Sequence, residues 1–345
     1  MPVRLTAAVS AALAATLLAA GTLPAAAAPP GAQATGACSA RVSIDQYSDA
    51  LDKRSVDGLY AGNFSALARD TDGDLLALSD RSALVTLDGR TREPLRGVPL
   101  ADEDGKPLDS EGLVVEKDGN RLITSETEPS VRRYDRAGHP VGRLPVPDGL
   151  RVAPAGRATA NQTFEGLAAG PGGRTLTASM EGPLAGDGNG AQGRPLHRFQ
   201  TWQRQPHGGY ALGRQYAYPA ERGMTVPEIT SLGDGRLLVL ERKFEPQGNT
   251  IRLYLADPRP ADDTRGTEKL TAATRPAAKT LLADLTRCPS LGAPARQPQI
   301  NPLLDNIEGM AVLGHAHGRL HLLLISDDNQ RAQQITRLYD MTVRL

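Results

Sequence analysis

Acidic residues recur in this chain in two registers. Glutamate stands at 111, 165, 228 and 308, each time opening a short apolar run, and a second acid follows the next apolar run at Glu126, Glu181, Glu241 and Asp327-Asp328. In the earliest copy Ser65 and Asp80 hold the two places. Carboxylates gathered in one volume raise one another's pKa or recruit cations, and hard oxygen donors in a ring are what Ca²⁺ prefers. Arg81, directly after Asp80, and Arg242 with Lys243, directly after Glu241, add cations suited to a phosphate or carboxylate group. A competing reading has each glutamate brace its own strands by accepting backbone N–H groups.

The elements that must position these acids are β-hairpins. Ser65–Ala68 and Leu75–Asp80 flank the turn Thr71-Asp72-Gly73-Asp74; Glu111–Val115 and Leu122–Glu126 flank Asp118-Gly119-Asn120. The pattern returns from Glu165 to Glu181, from Glu228 to Glu241, and from Glu308 to Asp328. Each is a short apolar strand, a Gly-containing turn and a second apolar strand. A hairpin brings the start of its first strand beside the end of its second, so Glu111 should neighbour Glu126, Glu165 should neighbour Glu181, Glu228 should neighbour Glu241, and Glu308 should neighbour Asp327 and Asp328. Further strand-like segments at 131–135, 197–203, 250–256 and 335–339 make three or four strands per unit. The expected fold is therefore an all-β propeller with five visible blades, the long last interval leaving room for a sixth. A β-sandwich is the competitor, but it does not require a repeated glutamate. Ring closure gives Arg41–Asp45 a place beside the C-terminal strands, and Glu116, outside the repeated position, is expected to be solvated.

Composition narrows the function classes. The 345 residues carry 39 Lys+Arg against 39 Asp+Glu, which leaves no basic surplus for a nucleic-acid backbone. Arg4, an apolar run from Ala7 to Ala20 and Ala25-Ala26-Ala27 read as a signal peptide over 1–27, followed by a linker over 28–40 and one domain over 41–345. No later stretch is long and apolar enough to span a membrane. A secreted monomer is expected, with Cys38 and Cys288, its two cysteines, bridged rather than catalytic. His315-Ala316-His317 is read as a hairpin turn, Asp70-x-Asp72-x-Asp74 as a plain turn, and the Gly-rich stretch 182–193 as an insertion. There is no nucleophile elbow, no His-Glu-x-x-His and no Walker loop.

Glu-Gly-Leu at 111 and 165, Glu-Gly-Met at 308, Ser79-Asp80-Arg81 and Ser326-Asp327-Asp328 resemble the phytase-like domain of exported bacterial proteins described as having esterase-like activity, over roughly residues 58 to 340. The resemblance implies hydrolysis of a phosphoester or ester on a small molecule, with Glu111, Glu165, Glu308, Asp80 and Asp327 as site residues. Combined with the ring of acids, it assigns Glu111, Glu165, Glu308 and Asp327 to catalysis. Asp80, Glu126, Glu181, Glu228, Glu241 and Asp328 go to Ca²⁺, and Arg81, Arg242 and Lys243 to the substrate's anionic group. Glu228 departs from the pattern, since Ile229 replaces glycine. The alternatives are a lactonase-type propeller with one central Ca²⁺ and a non-catalytic propeller that binds a surface ligand or protein.

Overall fold

Runs such as Leu75-Leu76-Ala77-Leu78-Ser79 are buried along their whole length, as strands are when a neighbouring sheet covers each face. The computed structural model describes Met1 and residues 36–345, and these strands form five four-stranded antiparallel sheets. The expected signal peptide and residues 28–35 of the linker lie outside the described residues. The innermost strands, in chain order, are Phe64–Arg69, Ser110–Val115, Phe164–Ala169, Thr225–Ser231 and Asn306–Ala316. Each packs against the next and the last against the first, so the five blades close into a propeller. The long interval before Glu308 holds no sixth blade: it contains the outer strand Ala278–Asp284 of blade four and the loops on either side of it.

The hydrophobic core is divided among the seams between blades. Leu76, Leu78 and Leu84 of blade one meet Leu113, Ile123 and Tyr134 of blade two, and Phe199 and Tyr216 of blade three meet Ile229, Val239 and Tyr254 of blade four. Polar links cross the seams as well. Asp70, from the first hairpin turn, pairs with the buried Arg121 of blade two at 2.7 Å, while Asp72 accepts from the Asp74 amide, so the Asp70–Asp74 segment is a turn as expected.

Closure is made by the N-terminal strand. Val42–Ser48 pairs antiparallel with Leu338–Val343, from Val42 opposite Val343 to Ser48 opposite Leu338. Buried Arg337 adds a clamp, donating to Asp49 and to the carbonyls of Pro294, Pro302 and Leu303. Cys38 and Cys288 form a disulfide across 250 residues of sequence. Because the closed loop is so long, chain entropy predicts stabilisation toward the upper end of ~2–5 kcal/mol. The double substitution Cys38→Ser/Cys288→Ser should therefore lower the unfolding free energy obtained from denaturant titration by about that amount. Alkylation of the native, unreduced protein should find no thiol, and two modified cysteines would contradict the bridge.

Candidate active site

Counting from the turn of each hairpin shows which residues are equivalent. The last pairs before the turn are Arg69↔Leu75, Val115↔Arg121, Ala169↔Leu176 and Ser231↔Leu237. Five residues beyond each pair on the second strand stand Asp80, Glu126, Glu181 and Arg242; in blade five Asp327 follows Ser326 as Asp80 follows Ser79. Four residues before each pair on the first strand stand Ser65, Glu111, Glu165 and Pro227, with Glu308 in blade five. Both acids of blade four are thus displaced by one residue. In a strand that displacement turns a side chain to the other face.

The consequence is a cavity of about 660 Å³ at the channel mouth, lined by Asp80, Arg81, Glu111, Glu126, Glu165, Glu181, Arg242, Lys243, Glu308 and Asp327. Glu228, Glu241 and Asp328 do not line it. Glu241 is fully buried between blades three and four, accepting from Tyr218 at 2.7 Å and the Glu221 amide at 2.9 Å, with Lys279 at 2.5 Å. Glu228 takes the place that glycine holds in blades two, three and five. A Cβ at Gly112 would lie 2.4 Å from the Glu165 carbonyl oxygen, and one at Gly166 would lie 2.4 Å from the Ile229 amide nitrogen, so only glycine lets these inner strands approach so closely. Glu228 instead turns its carboxyl to the amides of Ile229, Met310 and Leu167, and burial raises its pKa well above the usual range. Asp328 is fully buried away from the cavity, where it accepts from Lys53, Tyr60 and the Asn63 amide. The expected neighbours Glu228 and Glu241 are therefore apart, and Asp328 leaves the set that Asp327 joins. Glu116 is buried rather than solvated, paired with Arg133 at 2.5 Å and Arg204 at 3.4 Å.

Two groups of carboxylates form within the cavity. Asp109, Glu111 and Glu126 bring an oxygen each within 4.8 Å of one another, and so do Glu126, Glu165 and Glu181. Glu126 belongs to both. Burial, then Glu181, pushes its pKa up to about 8. Burial and the neighbouring acids hold Glu111 and Glu165 well above their ordinary range. Glu181 is also raised, burial outweighing Arg242. Asp80 is pushed up to about 7 by burial, against Arg81, whose Nε stands 3.5 Å away.

The other side of the cavity carries its own counter-charge. Arg242 donates to Glu308 and Asn306, and its Nη2 lies 4.0 Å from Glu181. Burial alone would depress its pKa, but Glu308, Glu181 and Glu165 hold it above the ordinary arginine value. Asn306 donates onward to Glu308 at 3.0 Å and Asp327 at 3.1 Å. Burial, then Glu308, raises Asp327 well above its usual range.

Asp109 and Asn306 were not singled out from the sequence, yet a signal exists. Two residues before the first-strand position the five blades read Asn63, Asp109, Thr163, Thr225 and Asn306, polar throughout but of no single residue type. Thr163 holds Glu126 through its amide at 3.1 Å. Ser65, only 2 % exposed, turns an unpartnered hydroxyl into the same cavity.

Among solved structures, the chain is similar to a glutaminyl cyclase from Myxococcus xanthus (12% identity, TM-score 0.46, covering 88% of this chain and 97% of that one). It is likewise similar to the PQQ-bound aldose sugar dehydrogenase from Streptomyces coelicolor (13% identity, TM-score 0.41, covering 88% and 98%). A virginiamycin B lyase from Staphylococcus aureus matches at 9% identity and TM-score 0.37, covering 81% and 65%. No curated protein sequence matches the chain. Among the described residues no helix is long and apolar enough to cross a membrane. The sequence pattern described as "Phytase-like: Esterase-like activity of phytase" matches residues 60–330, and the chain belongs to that phytase-like family.

Proposed function

We propose that the protein is an exported hydrolase of a phosphoester or carboxylic ester, assisted by Ca²⁺ at the carboxylate cluster. The observation that carries this reading is the pair of triads sharing Glu126 in a cavity that also holds Arg242 and Arg81. The donors fit the ion: all are hard carboxylate oxygens, and Ser65 Oγ is buried in the same cavity without a hydrogen-bond partner. Asp109, Glu111, Glu126, Glu165 and Glu181 would hold it. Bound Ca²⁺ supplies polarisation of a substrate oxygen and a more acidic water.

The chain's own side chains supply the rest. Arg81 is largely exposed and, with Lys243, draws an anionic group toward the mouth. Arg242, fixed by Glu308 and Asn306, presents an oriented positive charge deeper in the cavity. Glu308, expected to act on the substrate, is read here as a positioning residue for Arg242. Asp80, protonated up to a pH of about 7, can yield its proton to a leaving oxygen. Export is supported by the disulfide and by the signal-like sequence over 1–27.

Two measurements test the reading. Turnover of an aryl ester or a phosphodiester should require Ca²⁺ and stop in chelator. Losing even an outer-shell partner of a metal site costs about 10–100-fold, so Glu126→Gln should lower turnover at least that much, while exposed Glu268→Gln leaves it unchanged. A folded protein that turns over neither substrate would favour the non-catalytic, ligand-binding propeller.

The second measurement is stability against pH in the metal-free protein. Between about pH 4, where unfolded carboxyls release their protons, and the raised values of about 7 for Asp80 and about 8 for Glu126, the native state binds more protons than the unfolded one. Stability must then fall as pH rises through this window. The melting temperature should decrease from pH 5 to pH 8 in chelator, and Ca²⁺ should remove most of that decrease by binding the ionised form. Identical curves with and without Ca²⁺ would show that protons and Arg242 alone offset the acids.

A further inference from the structure

The second strand of blade four is longer than its counterparts in blades one, two and three. It runs on to Glu245, pairing Lys243↔Thr250, Phe244↔Asn249 and Glu245↔Gly248, whereas the equivalent strands end at Ser79, Ser125 and Met180. This overhang projects from the side where Arg242 enters the cavity. It is tied at its tip, since the Asn249 amide donates to Gln299 Oε1 at 2.9 Å. Phe244 sits on it, 63 % exposed, and lines the cavity mouth next to Lys243.

Phe244 is the only apolar side chain among the residues that line this cavity; every other one is acidic, basic, amide, hydroxyl or glycine. An exposed phenylalanine has no stabilising role where it stands, because it buries little surface. An aromatic ring at the mouth of a charged pocket suits a ligand that is anionic at one end and flat and apolar at the other. Such a ligand can place its charged group toward Arg242 and stack its ring on Phe244.

We propose that Phe244 is a specificity-determining residue that stacks on a planar aromatic group attached to the reacting phosphoester or ester. Substrates of aryl type are thereby preferred over those with small alkyl groups. The inference rests on the anion-binding reading above, with Arg242, two residues earlier on the same strand, at the charged end.

The test uses two ligands with one head group, phenylphosphonate and methylphosphonate, titrated calorimetrically into the whole protein supplied with Ca²⁺. Phenylphosphonate should bind about three- to tenfold more tightly, as one aromatic stack provides. Phe244→Ala should erase that difference while leaving methylphosphonate affinity unchanged, which also reports that the variant's site is intact; Phe244→Leu should keep only part of it. Equal affinities in the unaltered protein, or a preference that survives Phe244→Ala, would overturn the aryl subsite and leave the anion site standing. Binding of neither phosphonate would overturn the anion site and the subsite with it.

Discussion

Like-charge repulsion is the constraint around which this site is built. Acids from two blades meet within 4.8 Å in two overlapping groups, and burial removes the water that would screen them. Each acid has to be offset locally. In blades four and five the offset is Arg242, which spans Glu308, Asn306 and Glu181. In blades two and three Arg242 reaches the edge of one triad at Glu181, 4.0 Å away, and no salt bridge reaches Glu111, Glu126 or Glu165 among the described residues, so protons or a bound metal ion must supply the rest of the positive charge. The asymmetry turns a five-fold repeat into a site with an anion-attracting half and a cation-attracting half.

Backbone packing sets where that repulsion is felt. Inner strands approach so closely that glycine follows the glutamate in blades two, three and five, and the carboxylates are pulled together as a result. Blade four solves the same contact differently. Glu228 occupies the glycine position and ties three backbone amides with its own carboxyl, so it holds blades three, four and five at the point where the ring of acids is interrupted.

The hairpins, their turns and the closing strand were legible in the sequence because apolar runs and Asp/Gly turns report local geometry directly. Ten of the thirteen residues assigned to the site do line the cavity. The failures have one cause. In blade four the acids Glu228 and Glu241 look like the repeat but lie one residue nearer the turn, and a strand's two-residue period makes that offset decisive. The turn glycines carried the correction: Asp80, Glu126 and Arg242 all lie seven residues after Gly73, Gly119 and Gly235, and Glu241 only six. Asp328 failed for the same reason, as the residue after Asp327 in an alternating strand end. Asp109 and Asn306 were hidden because their position in the repeat keeps polarity and not residue type, while the prominence of Phe244 depends on which groups surround it in space.

The pairing of Val42–Ser48 with Leu338–Val343 also fixes an order of events. A ribosome delivers the first of these strands before any of the inner blades and the second after all of them, so the earliest strand has no partner until translation of the domain is nearly finished. Blades one to four can form as their hairpins emerge, each from contacts close in sequence, but the fifth must wait. During that interval the mouth is open on one side and Arg242 has no Glu308 to meet. The triads of blades two and three, by contrast, need only those two blades, so they can assemble before Arg242 meets Glu308.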